Sequence, residues 1–218
     1  MYDLTIWQKI VVYAIPILFA ITVHEVAHGW VANACGDATA RFMGRLTLNP
    51  IKHIDLLGTI IVPALAVTLG GFLFGWAKPV PVDYRNLRHP KRDMALVAAA
   101  GPLTNLLMAV LWGIIIKLGF VLKQHGMISG ILVAYMGQIG VTINFVLLVL
   151  NLLPIPPLDG SRVVTSFLTP RAGYYYNKLE PYGFFIIVGL LILGLLSTVL
   201  NPAVNWLQST LYSLLGLS

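Results

Sequence analysis

Charged residues are scarce in this chain of 218 residues, and their scarcity excludes an ordinary soluble domain. Asp, Glu, Lys and Arg together make up 10% of the sequence, whereas about a quarter of the residues are charged in soluble proteins. Hydrophobic residues reach 58%, and the mean hydropathy is +0.84. This composition is typical of an integral membrane protein.

Cysteine is almost absent. The single residue Cys35 excludes an intramolecular disulfide and a cysteine-rich metal cluster, and we interpret it as a small apolar filler. A cleavable signal peptide is not expected, because the first apolar run is too long and no small-residue cleavage site precedes position 24. The first apolar run is therefore interpreted as a retained helix.

Long apolar segments follow one another along the chain, and the links between them are too short for a second folded domain. Segments of this length are typical of transmembrane helices. Their bounds are 6–34, 56–76, 94–121, 128–153 and 182–200, with a weaker segment at 203–217. The sequence predicts a single all-α, polytopic membrane domain over residues 1–218. For 203–217, a membrane crossing and an interfacial helix both fit the pattern.

A His-Glu-Val-Ala-His sequence occupies positions 24–28, inside the first apolar segment. Residues four apart share one face of a helix, so His24 and His28 can bind one Zn²⁺ while Glu25 acts as general base toward a metal-bound water. Such a sequence can occur by chance on an exposed helix of a soluble protein. In hydrocarbon, however, two histidines and a glutamate are costly unless they serve a function.

A second motif, Asn-Leu-Leu-Pro-Ile-Pro-Pro-Leu-Asp-Gly, occupies positions 151–160. A catalytic zinc usually has three protein ligands and one open position, and Asp159 is a candidate for the third ligand. The prolines break the helix at membrane depth, which is tolerated where the backbone faces protein or a water-filled cavity. The alternative is that Asp159 caps a helix that begins near Gly160.

Three blocks in this order, at positions 24–28, 100–105 (Ala-Gly-Pro-Leu-Thr-Asn) and 151–160, resemble the site-2 protease family of intramembrane zinc metalloproteases. The resemblance covers about residues 6–162. It implies that one zinc ion per chain is bound by His24, His28 and Asp159, and that Glu25 is the catalytic base. The resemblance also matches Asn105 and Asn151 to polar positions that hold the substrate backbone or the developing oxyanion.

The same resemblance implies a helical bundle with a three-helix catalytic core, at about residues 6–169, and C-terminal membrane segments at about 180–218. The chain is similar to the compact branch of the family, which lacks a PDZ or CBS domain. The implied substrates are single-span membrane proteins or signal-peptide remnants, cut within the membrane in regulated intramembrane proteolysis. The rival interpretations are a divalent-metal transporter and a catalytically silent homologue. For Asn105, a hydrogen bond to a neighbouring helix is a further alternative.

The metal site constrains the topology of the chain. His28 lies about 9 Å before the end of the first segment, at 1.5 Å per residue, so the zinc lies near that end. If segment 56–76 crossed the membrane fully, Asp159 would emerge on the opposite face, so we expect this segment to return to its own side. Eleven of the fourteen Lys and Arg residues then share the zinc face, which predicts a cytoplasmic active site. We expect the membrane to be a bacterial or archaeal cell membrane. The net charge of +6 therefore reflects membrane topology rather than nucleic-acid binding.

Alternating prolines follow segment 56–76. They exclude a central strand but suit an edge strand or an extended loop. Such an edge near the zinc can pair with an unwound substrate, and the alternative is a rigid interfacial linker. The residues concerned are Lys78, Pro79, Val80, Pro81 and Val82. Just before the segment, His53 and Asp55 could orient a ligand histidine or gate access, or could be interfacial polar residues.

Overall fold

The computed structural model describes residues 4–55, 58, 78–127 and 129–217. Most of these residues are helical and none of them forms a strand, which confirms the predicted all-α class. The helices are α1 Ile6–Ala34, α2 Thr39–Phe42, α3 Pro90–Gln124, α4 Ser129–Asn151, α5 Asp159–Phe167, α6 Pro170–Asn177, α7 Gly183–Ile192 and α8 Leu195–Leu215. Single 3-10 turns occupy Pro50–His53, Tyr84–Asn86 and Glu180–Tyr182.

Three long helices, α1, α3 and α4, form the centre of the molecule and pack on one another. Each is long and apolar enough to cross a membrane. Helix α1 begins with a capping box, in which the Thr5 hydroxyl accepts from the Gln8 amide and the Gln8 side chain accepts from the Thr5 amide. These helices make the chain an integral membrane protein, as its composition predicts.

Glycines allow α3 and α4 to approach closely. A Cβ atom built on Gly137 would lie 2.9 Å from the Ile116 backbone nitrogen, and one on Gly140 would lie 2.3 Å from the Trp112 ring. Small residues at helix interfaces are the usual device for packing within a membrane, where burial of apolar surface provides little driving force. The larger core side chains of this interface also contact α8, through Val204 and Leu211.

The C-terminal helices differ from the predicted segments. The sequence predicts a break between residues 200 and 203, but the break lies at Gly194, and α8 continues through Pro202. Gly194 has a φ of +71°, a left-handed conformation that glycine adopts without a Cβ penalty. The helical stretches Pro170–Ile192 and Leu195–Leu215 are bent by 79° at this point. The predicted boundary is therefore wrong.

The expected return of segment 56–76 lies outside the described residues. The described residues on its two sides meet, since the Lys78 amide donates to the His53 carbonyl at 3.0 Å. The residues that flank this segment, His53 and Lys78, are therefore in contact.

Candidate active site

Three side chains from two helices converge at the centre of the molecule. His24 and His28 lie one turn apart on α1, with their Nε2 atoms 3.1 Å apart. Asp159 is the first residue of α5, and its Oδ2 lies 3.3 Å from each of these nitrogens. The helix cap is Leu158, which makes no side-chain capping bond, so Asp159 begins the helix rather than capping it. The structure thus brings together the three predicted metal ligands.

The outer nitrogens of both imidazoles contact oxygen atoms. His24 Nδ1 lies 2.6 Å from Asn105 Oδ1, and His28 Nδ1 lies 2.7 Å from the Val97 carbonyl oxygen. A carbonyl oxygen can only accept, and the Asn105 amide nitrogen is directed to Asn144, so both Nδ1 atoms carry the proton. In the neutral form that binds a metal ion, each ring then presents an Nε2 lone pair toward Asp159.

The converging atoms are therefore all acceptors, and their geometry fits a bound zinc ion. Asp159 Oδ2 is buried and has no hydrogen-bond partner, an arrangement that is unfavourable without a cation. Tetrahedral zinc with bonds of about 2.0–2.1 Å places neighbouring ligand atoms roughly 3.3–3.4 Å apart. The three separations of 3.1, 3.3 and 3.3 Å come close to that spacing.

Gly101 on α3 leaves the space that the two imidazoles occupy. A Cβ atom at this position would lie 2.5 Å from His24 Cε1 and 2.5 Å from His28 Nε2. Such contacts are far below van der Waals distance, and hydrogen bonds to Asn105 and Val97 hold both rings in place. The motif at 100–105 therefore accommodates the two histidines through a missing side chain and contacts one of them through a polar side chain.

Asn105, which the family resemblance matches to a substrate or oxyanion position, contacts His24. Its side chain is completely buried, its Oδ1 accepts from His24, and its Nδ2 donates to Asn144 Oδ1 at 2.9 Å. Asn144 in turn donates to the Gly140 carbonyl at 2.8 Å. The Asn105 amide is thus used within the bundle, which fits the alternative of a hydrogen bond to a neighbouring helix, and its Oδ1 fixes the orientation of the His24 ring. Asn144, which the sequence analysis missed, is the link to α4.

Asn151, the second predicted oxyanion residue, lies at the end of α4. Its Nδ2 donates to the Leu147 carbonyl of the same helix at 3.0 Å. The side chain is partly exposed. The hydrogen bonds of the described residues therefore do not connect Asn151 with the three converging ligands.

Glu25 contacts the proline-rich segment 78–82. Its Oε2 accepts a hydrogen bond from the Val80 amide at 2.9 Å. Val80 is buried against α1, where a Cβ on Gly29 would lie 2.8 Å from Val80 Cγ1. On its other side the segment contacts Arg45, whose Nη2 donates to the carbonyls of Lys78 at 2.9 Å and Pro79 at 3.3 Å. The segment thus runs directly beside the candidate base.

Asp37, in the link after α1, anchors the far end of this segment and was not singled out from the sequence. The side chain is completely buried. Burial alone would raise the pKa of Asp37, but hydrogen bonds from the Thr39 hydroxyl, the Asn86 amide and the backbone amides of Thr39 and Asp83 together lower it. The Asp83 amide donates at 2.7 Å.

His53 and Asp55, which were predicted to orient a ligand histidine, to gate access or to be interfacial polar residues, bond to nearby backbone groups. His53 Nε2 donates to the Thr47 carbonyl at 2.9 Å, and Asp55 Oδ1 accepts from the Gly58 amide at 2.8 Å. The outer nitrogens of His24 and His28 bond to α3. A role of His53 and Asp55 in gating stays a prediction.

Comparisons with known proteins agree with this geometry. The profile of peptidase family M50 matches residues 12–134 and 120–194. A protein named as a zinc metalloprotease, YwhC of Bacillus subtilis (strain 168), is 38% identical over 197 residues, which cover 88% of this chain and 84% of that protein. Rip2 of Mycolicibacterium smegmatis, named in the same way, is 34% identical over 191 residues, which cover 87% of this chain and 70% of that protein. The regulator of sigma-E protease RseP of Escherichia coli (strain K12) is 36% identical over 96 residues, which cover 41% of this chain and 21% of that protein. No solved structure matches the chain.

Proposed function

Because the chain belongs to peptidase family M50, the site-2 protease family of intramembrane zinc metalloproteases, we propose that it hydrolyses peptide bonds within the transmembrane segments of membrane-anchored substrates. The observation that carries this proposal is the convergence of three acceptor atoms, with Glu25 one residue from the first of them. Glycine and carbonyl contacts from α3 fix the two histidines in place. This arrangement is suited to hydrolysis and has no evident use in transport.

His24, His28 and Asp159 would hold the zinc ion through two Nε2 atoms and one carboxylate oxygen. When bound, zinc lowers the pKa of a coordinated water toward about 7 and polarises a carbonyl group. Asn105 and the Val97 carbonyl keep both histidines in the tautomer that zinc requires.

Glu25 is the general base in this proposal. One of its oxygens is held by the Val80 amide, so the carboxylate has a fixed direction along the edge of the site. It takes a proton from the attacking water as the new C–O bond forms, and it delivers that proton to the amine nitrogen as the C–N bond breaks. Water and peptide are thereby consumed in equal amounts, and the base is regenerated.

The segment 78–82 is proposed to receive the substrate backbone. A transmembrane helix must unwind near the cut, and its freed amide groups then need hydrogen-bond partners. The prolines lack amides, and the amides of Lys78 and Val80 are used by His53 and Glu25. No hydrogen bond among the described residues uses the Val82 amide. Pairing with a substrate would therefore involve Val82 and the carbonyls near it.

The proposed substrates are single-span membrane proteins or signal-peptide remnants, cut near the cytoplasmic side of a bacterial or archaeal membrane. The orientation follows from the distribution of basic residues, eleven of which fall on the zinc face when segment 56–76 returns to its own side. The contact between Lys78 and His53 supports that topology, because it joins the two sides of the segment.

The test is cleavage of a panel of model single-span substrates by purified protein in detergent. We expect the parent to cut within the apolar span and a zinc chelator to stop the reaction. Glu25→Gln should retain one zinc per chain and lose at least about 100-fold in kcat, because general base catalysis contributes about 10²–10⁴-fold. Glu180→Gln, the same substitution at an exposed side chain, is the matched control.

Two outcomes would contradict the proposal. Normal turnover by a folded Glu25→Gln variant would remove Glu25 from the mechanism. A parent that binds one zinc per chain and cuts no substrate would favour a catalytically silent homologue.

A further inference from the structure

Arg45 carries a buried charge that the mechanism above does not explain. The side chain is 8% exposed, and its Nε is buried without a hydrogen-bond partner. None of the ion pairs among the described residues includes Arg45. Its Nη2 donates only to the main-chain carbonyls of Lys78 and Pro79. A buried guanidinium is costly unless it is compensated, so its retention at this point calls for a physical reason.

The reason lies in one peptide group. The Pro79 carbonyl that accepts from Arg45 at 3.3 Å belongs to the same peptide unit as the Val80 amide, which donates to Glu25 at 2.9 Å. A peptide unit is planar and rigid. The guanidinium and the carboxylate are therefore joined through the two ends of a single rigid group.

The two hydrogen bonds at this peptide group, from Arg45 to the Pro79 carbonyl and from the Val80 amide to Glu25, each involve a charged group. Charge-assisted hydrogen bonds are stronger than neutral ones. Consecutive hydrogen bonds also polarise each other, so each is strengthened by the other. Arg45 thus compensates the Glu25 carboxylate across the peptide, and the peptide fixes where that carboxylate points.

We propose that Arg45 is a positioning residue for Glu25, acting through the Pro79–Val80 peptide group. This inference rests on the proposed function, in which Glu25 is the base. The far end of the segment is held separately, because the Asp83 amide donates to Asp37 at 2.7 Å. Substitution of Arg45 should therefore release the Lys78 and Pro79 carbonyls and loosen the peptide group beside Glu25. The chain would remain attached on both sides, by the Lys78 amide to His53 and by the Asp83 amide to Asp37.

The first experiment measures kinetics and zinc content of Arg45→Gln and Arg45→Lys, with Arg41→Gln as control. Arg41 is exposed and lies four residues away on α2. Misplacement of a catalytic group by about 1 Å costs up to roughly 100-fold, so kcat of Arg45→Gln should fall about 10- to 100-fold. KM should stay within about threefold of the parent, since the effect falls on the transition state. Arg45→Lys should recover part of kcat, because its amine can still donate to one carbonyl.

Each alternative role has its own signature in this experiment. An unchanged kcat for Arg45→Gln would overturn the proposal. A rise in KM with unchanged kcat would also overturn it, and would show that Arg45 serves only the substrate. A loss of kcat that is fully matched by a loss of zinc would show a merely structural role.

The second experiment is amide hydrogen exchange over residues 78–82, which needs no catalysis. Only Lys78, Val80 and Val82 carry an amide here, so each exchange rate can be resolved. In Arg45→Gln the Val80 amide should exchange at least about tenfold faster than in the parent, because its bond to Glu25 opens locally. Arg41→Gln should match the parent. Unchanged Val80 protection in Arg45→Gln would overturn the inference, whereas failure of the proposed function would appear as a parent that cuts nothing.

Discussion

Two aspartates, the half-buried Asp159 among the converging histidines and the fully buried Asp37 in the link after α1, have opposite surroundings. Asp37 receives four hydrogen bonds, from the Thr39 amide and hydroxyl, the Asn86 side chain and the Asp83 amide. Asp159 Oδ2 receives none and faces the acceptor nitrogens of two histidines. Protein donors complete the first cluster, whereas the second needs a cation to complete it.

The comparison separates a structural carboxylate from a functional one by the atoms around it rather than by burial. A carboxylate surrounded by donors stabilises the fold and has nothing further to bind. One surrounded by acceptors is a binding site for a metal ion. Arg45 is a third kind of buried polar group. Its charge is compensated by Glu25 through a peptide group rather than by direct contact.

The largest expected effect comes from the same substitution at both carboxylates. Asp159→Asn removes the anionic ligand, so zinc affinity should fall by more than about 100-fold and cleavage should cease. Asp37→Asn should keep one zinc per chain, because its cluster contacts no ligand. Metal analysis after dialysis against a weak chelator measures both. A parent-like zinc content in Asp159→Asn would reduce Asp159 to the first residue of a helix and remove the distinction.

A smaller effect is expected for the groups that support the metal ligands. Asn105→Ala removes the acceptor that orients His24 and should lower zinc affinity about 10- to 100-fold. Asn151→Ala is the matched change on α4 and should leave zinc affinity within about threefold of the parent, because its amide bonds to its own helix. Competition with a chromophoric chelator gives both affinities.

The two asparagines also differ in what a negative result would mean. Equal zinc affinities for the parent and Asn105→Ala would show that the bond to His24 does not support the metal. A fall in kcat for Asn151→Ala with unchanged zinc affinity would support the oxyanion role predicted from the family resemblance.

The convergence of His24, His28 and Asp159 was predictable from the sequence because helix periodicity and zinc chemistry together restrict both residue type and spacing. His24 and His28 share a helix face whatever the rest of the chain does. The bond from His24 to Asn105 was not predictable, since it joins residues 81 apart and depends on how α1 packs against α3. The contact between Glu25 and Val80, 55 residues apart, has the same origin.

Two further features, the buried Asp37 and the helix break at Gly194, were not predicted for local reasons. Asp37 follows a glycine in a short polar link, where an aspartate has no feature that distinguishes a turn from a buried anchor. The C-terminal break at Gly194 lies within an uninterrupted apolar run, and glycine is frequent in membrane helices, so hydropathy alone does not locate the bend.

The smallest expected effect is the acid dependence of stability at Asp37, measured with zinc-free protein so that loss of metal does not contribute. Hydrogen bonding places the pKa of folded Asp37 below its ordinary value. Its contribution to stability is therefore fully present above the unfolded pKa of about 3.9 and is lost as the pH falls through the folded pKa. Thermal unfolding in detergent should show Asp37→Asn less stable than the parent by about 1–3 kcal/mol at pH 7. The gap should narrow below about pH 4. If the difference in stability between the parent and Asp37→Asn were the same at pH 7 and pH 3, the effect of the substitution would come from the shape of the side chain and not from its charge. The donor-filled carboxylate would then contribute no more as a charge than a neutral side chain of the same size.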